Sequence, residues 1–167
     1  MNTIQNYNLP IFGEIDLNNL EDYYQKEIVI NGNKIVANLS FDEKNVTAKN
    51  FKTIEKALHE INKFENIAKT AIENDFNNGT EVKEYIEQNL DEIDFEQLNL
   101  KIDHSDFVNS VENEMYKKLH LVTVTFYPEY DEEHIVFDYT IGKKLTDLLI
   151  AVKFNYNGEL QDLVIES

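Results

Sequence analysis

Four runs in the last third of the chain read as strands, several of them alternating apolar with polar residues, and this pattern restricts the possible folds more than any other feature. They are LHLVTVTFY from 119, HIVFDYTI from 134, DLLIAVKFNY from 147 and ELQDLVIES from 159. Val122, Val124 and Phe126 recur at a period of two, as do Ile135, Phe137 and Tyr139, and then Leu148, Ile150, Val152 and Phe154. That period puts each set on one side of a strand. Asn157-Gly158 and the loops holding Pro128 and Gly142 supply turns, so 119–167 is expected to be an antiparallel meander.

A fifth and a sixth strand are expected at 26–41, KEIVINGNKIVANLSF, where Asn31-Gly32 suits the positive φ angles of a tight hairpin. Between hairpin and meander the period changes. From Ala48 to Asn74 the residues Phe51, Ile54, Leu58, Ile61, Phe64, Ala68 and Ile72 recur at three and four, the stripe of a helix buried on one face. NDFNNGT ends it, with Gly79 expected as a left-handed cap. A second helix is expected from Thr80, its N-cap, and a third over Ser105–Lys118 with Phe107, Val111 and Met115 inward. Residues 91–104 carry no clear period. Residues 1–25 read as an ordered arm, extended around Pro10, with a short helix from Asp16 that puts Leu17, Leu20 and Tyr24 on one face.

Hairpin, helices, then meander is an α+β order, with helices packed on one face of an antiparallel sheet. The 167 residues fit one domain: arm 1–25, hairpin 26–41, helical region 48–118 and meander 119–167. No repeat or low-complexity linker divides it. The chain has no cysteine, which removes disulfides, thiolate zinc sites and thiol nucleophiles. The start lacks a basic leader and no stretch reaches the ~20 apolar residues of a membrane span, so a cytoplasmic protein without membrane contact is expected.

Thirty-two acids against 15 lysines give a net charge of −17, which repels nucleic acid and anionic membrane and attracts a basic protein. The charge is unevenly placed. Residues 73–114 hold 13 acids with only Lys83 and Lys101, whereas Lys44–Lys69 holds six lysines against three glutamates. On a helix over 80–93, Val82, Ile86, Leu90 and Ile93 face inward while Glu84, Glu87 and Asp91 form an outward ridge, continued by Glu92 and Asp94. Like charges at that spacing cost a helix roughly 0.2–0.5 kcal/mol per pair. Two offsets are open: the lysine-rich first helix alongside, or an external basic surface.

YPEYDEEH, 127–134, has three open readings: metal or catalytic site, docking surface, or solvated turn. Asp131, Glu133 and His134 are metal-ligand types, but no second histidine at helical spacing and no fixed loop glycine accompany them. Tyr130 beside Asp131, Glu132 and Glu133 suits a contact surface, because tyrosine offers area at low entropy cost. Aligning Gly79 as the turn glycine of a calcium loop puts Phe76 and Tyr85 at ligand positions. His59-Glu60 is not followed by the second histidine of a zinc helix, and no nucleophile elbow, P-loop or dinucleotide glycine run occurs. Asp103, His104 and Ser105 hold triad residue types, but as sequence neighbours. No catalytic residue, metal or cofactor is expected.

Two segments, LPIFGEIDLNNLEDYYQKEIVINGNKIVANLSFD and VFDYTIGKKLTDLLIAVKFNYNGELQDLVIES, resemble the bacterial domain-of-unknown-function family two thousand and four. The Phe-Gly-x-Ile-Asp start, the Asp138-Tyr139 pair and the Glu166-Ser167 ending carry the resemblance, and 50–115 matches only in helical character. It implies no catalytic residues. Some proteins of this kind look like immunity partners of secreted bacterial toxins. The expected function is therefore an acidic protein-binding module, an immunity protein that neutralises a basic toxin by occlusion. A structural or housekeeping module without a toxin partner is the alternative, and a hydrolase or weak divalent-metal binder the third reading.

Overall fold

The computed structural model describes residues 6–167. Asn31 at φ +47° and Gly32 at φ +83° form the tight turn the pair predicts, joining β3 (Tyr23–Ile30) to β4 (Asn33–Ser40). The four runs form β5 (His120–Phe126), β6 (Ile135–Thr140), β7 (Leu149–Phe154) and β8 (Leu160–Glu166). Hairpin and meander are one sheet. Its order is β3-β4-β5-β6-β7-β8, antiparallel except that β4 and β5 run parallel, with Ala37 opposite Val124 and Leu39 opposite Phe126. Parallel neighbours need a long crossover, and the whole helical region is that crossover.

The crossover comprises α1 (Ala48–His59), α2 (Ile61–Asn78), α3 (Glu81–Glu92), a single turn α4 (Phe95–Leu98), a 3-10 turn (His104–Asp106) and α5 (Phe107–Lys118). Phe51, Ile54 and Leu58 of α1, Phe64, Ala68 and Ile72 of α2, and Val111 and Met115 of α5 join the inward sheet rows in one core. The inward rows run Leu39–Phe126–Ile135–Phe154 and Ala37–Val124–Phe137–Val152 across four strands. The opposite sheet face carries Thr125, Val136, Thr140 and Ala151, all buried, and the half-buried Asp138. A separate hairpin, β1 (Asn6–Leu9) with β2 (Gly13–Asp16), buries Leu9 and Ile15 in the core, and Tyr7 donates its hydroxyl hydrogen to Glu55 of α1 at 2.7 Å.

Several expectations change. Residues 1–5 of the expected arm lie outside the described residues. The arm forms strands rather than a helix from Asp16, because Leu17 and Leu20 meet the core from a turn and Tyr24 belongs to β3. The first helix is two, divided at Glu60, whose φ/ψ of −103°/14° breaks the helical path. Gly79 is extended, not left-handed; a Cβ there would collide with the Asp75 carboxylate. A bulge between Leu121 and Thr123 puts Leu121, not Val122, on the inward row. Phe107 is 49% exposed, because it opens α5 beyond the edge of the core.

Candidate functional site

The acidic ridge is oriented by what lies beneath it. Asp75 Oδ1 accepts the Val82 amide at 2.7 Å, tying the start of α3 to α2. Val82, Tyr85, Ile86, Asn89 and Ile93 are buried. The Tyr85 hydroxyl accepts the Ile141 amide at 3.1 Å and lies 3.3 Å from Thr140 Oγ1, so α3 is fixed to the C-terminal end of β6. Asn89 donates to the Tyr85 carbonyl at 2.7 Å. Tyr85 and Asn89 went unnoticed in the sequence because their polar atoms masked inward positions at helical spacing.

With that rotation set, Glu84, Glu87, Asp91 and Glu92 are all exposed, as is Asp94, which caps α4 by accepting the Glu96 amide at 3.1 Å. Among the described residues none of these five carboxylates forms an ion pair. The lysines of α2 bind at home, Lys63 with Glu60 and Lys69 with Glu65. The internal offset weighed for the ridge therefore does not form as salt bridges.

YPEYDEEH is a loop built to hold other segments. Glu129 accepts the amides of Asp42, Glu43 and Asn45 at 2.6, 3.2 and 2.7 Å, and the Pro128 carbonyl accepts from Asn50 of α1 at 2.9 Å. Lys44, at φ +58°, gives that amide nest its curvature. Tyr130 donates to Asp42, and this bond, with the Asp42 charge, pushes its phenol up to about 12. His134 is buried: Nδ1 meets the Tyr130 carbonyl at 3.0 Å and Nε2 meets Thr53 Oγ1 at 3.0 Å. A carbonyl only accepts, so Nδ1 carries a hydrogen, while the single hydroxyl hydrogen of Thr53 is shared between Nε2 and the Asn50 carbonyl, 2.6 Å away. Burial holds the His134 pKa below its usual value.

Of the remaining loop residues, Asp131 and Glu132 present exposed carboxylates, while Glu133 pairs with Lys153 at 2.8 Å. The loop precedes the N-terminal end of β6 and Tyr85 anchors α3 at the other end, so the two acidic groups hang from opposite ends of that strand.

The sheet face opposite the core holds the most perturbed acid. Asp138 is half-buried among Thr123, Ala151 and Lys153, and burial raises its pKa from 3.8 to about 7, with Glu166 adding to the shift and Lys143 and Lys153 opposing it. Lys153 also reaches Glu166 at 2.6 Å. Asp138 and Glu166 thus share one electrostatic cluster. Compared with protein families, curated proteins and solved structures, the chain matches none.

Two of the clefts lie beside buried polar side chains. One of about 340 Å³ lies over His134, Thr53, Phe64 and Tyr156. The other, about 410 Å³, is lined by Glu65, Lys69, Glu73, His120 and Tyr139, and the buried Tyr139 hydroxyl there has no protein partner. Glu65 is itself buried and satisfied by Lys69 at 2.6 Å and by the Asn31 amide. Among the described residues no three histidine or acid side chains converge as metal ligands. Among the described residues no helix is long and apolar enough to cross a membrane.

Proposed function

We propose that this protein is an acidic protein-binding module that docks a basic protein through the α3 ridge, acting as an immunity protein that occludes a basic bacterial toxin. The observation that carries the reading is the set of exposed carboxylates on Glu84, Glu87, Asp91, Glu92 and Asp94, unpaired among the described residues. Their repulsion has no internal ion pair to relieve it, and a cationic surface would supply one. Charge would steer the encounter at long range and shorten the search for the docked pose. Asp131 and Glu132 at the far end of β6 offer a second, smaller contact.

Co-expression with the product of the adjacent gene, followed by a salt titration of the complex, tests this. Affinity should fall steeply as salt rises, and the charge reversals Glu84→Lys, Glu87→Lys and Asp91→Lys together should slow association roughly tenfold or more. An affinity indifferent to salt and to those reversals refutes the ridge and favours the housekeeping alternative, in which acidity serves solubility alone. The hydrolase reading has one observation in its favour, a carboxyl poised near neutrality at Asp138. Turnover abolished by Asp138→Asn would support it.

A further inference from the structure

We infer that the docking face is centred on the phenylalanine pair Phe95 and Phe107, and that it receives a basic protein surface bearing an apolar side chain at its middle. This rests on the ridge reading above and adds the component that charge cannot supply. Phe95 is 43% exposed, Phe107 49% and neighbouring Val108 66%, and the two rings stack with centroids 6.1 Å apart at 23°. Three of the eight large apolar side chains most open to solvent therefore fall within 14 residues of the most acidic part of the chain.

The pair does not stand on a loose loop. Buried Ile93 and Leu98 anchor α4, and Asn99 at φ +47° turns the chain out of it. Asp103 accepts the Ser105 amide at 2.9 Å, its own amide donates to Ser110 Oγ at 2.7 Å, and Asp106 accepts from Asn109 at 2.9 Å. Those bonds hold the segment while leaving both rings in water, an arrangement that pre-organises a contact and lowers the ordering cost of binding.

Close to the rings in sequence are Asp91, Glu92, Asp94, Glu96, Asp103 and Asp106, all exposed and, among the described residues, none ion-paired, against the single lysine Lys101 in that stretch. Aromatic centre and charged rim is the anatomy of a binding hot spot: the rim sets encounter rate, the desolvated rings set residence time. A face kept only for solubility has no use for exposed phenylalanines. The surrounding negative charge also disfavours a second copy of this chain as the occupant, and selects a cationic partner.

Two labelled peptides of equal length and equal lysine content test the inference at low salt, one a lysine-leucine amphipathic helix and the other with serine replacing every leucine. Wild-type protein should bind the leucine peptide roughly tenfold or more tightly. Phe95→Ser/Phe107→Ser should bind both alike, at the wild-type affinity for the serine peptide, while Ile11→Ser, an exposed residue elsewhere, keeps the preference. If the double variant does not fold, ring resonances of wild-type Phe95 and Phe107 must shift with the leucine peptide and stay put with the serine one. Equal, salt-sensitive binding of both peptides overturns the aromatic centre and leaves the ridge reading standing. Binding of neither peptide overturns both. Concentration-dependent dimers of wild type that vanish in the double variant would make the occupant a second copy and overturn the inference.

Discussion

Asp138→Asn should stabilise the protein at alkaline pH and do nothing at acid pH. The folded state holds the Asp138 proton up to about pH 7, whereas the unfolded chain releases it near 3.8. Between those values the folded state binds more protons, so stability falls as pH rises through the window. A shift of about three units corresponds to about 4 kcal/mol at most, and because Asp138 is only half-buried, with Lys143 and Lys153 opposing the shift, about 2 kcal/mol is expected. Asparagine keeps the shape and carries no charge to desolvate. For a chain of this size, about 2 kcal/mol raises Tm by roughly 4–8 °C at pH 8, with the gap closing toward pH 4. Thermal melts of both proteins from pH 4 to 8, alongside a carboxyl NMR titration of Asp138, measure it. If Asp138→Asn melts lower at pH 8 than wild type, Asp138 is an ionised partner of Lys143 or Lys153, and the burial argument is wrong.

Other perturbations separate the roles of the loop and the clefts. Glu129→Ala leaves three amides of 42–45 unpaired and should cost about 1–3 kcal/mol in urea unfolding, whereas Asp131→Ala and Glu132→Ala stay within about 0.5 kcal/mol. His134 is held neutral by burial, so its contribution is complete above the unfolded pKa of about 6.5 and is lost as pH falls toward its lower folded value; His134→Gln should therefore cost more stability at pH 7.5 than at pH 5, read by Tm. Tyr139→Phe removes a buried hydroxyl that has no partner, and denaturant titration should find it neutral or stabilising by up to about 1 kcal/mol.

Most strands and the main helical segments could be read from local pattern, but the β1–β2 hairpin, the break at Glu60 and α4 could not. Period two marked β5, β6 and β7, and period three-to-four marked the helices, because each reports which side of a single element meets an apolar surface. Asn31-Gly32 declared its turn for the same reason: two positive φ angles are a property of two residues. The outward set on α3 was also visible, since rotation about one helix axis is local geometry. Elsewhere local pattern misled. Phe107 shares a helical face with Val111 and Met115, but whether that face extends as far as the core depends on where α5 starts relative to the sheet.

Charge balance and apolar alternation along the sequence therefore determined an acidic α+β chain with a ridge of carboxylates. Only the tertiary structure decided that β4 and β5 lie parallel, that Glu129 spends its charge on backbone amides 84 to 87 residues away, and that Asp138 is held close to neutral. The physical reason is range. Periodicity is a property of a few bonds, whereas a carboxylate's ionisation and a ring's exposure depend on what distant segments bring near, and on how much water they leave.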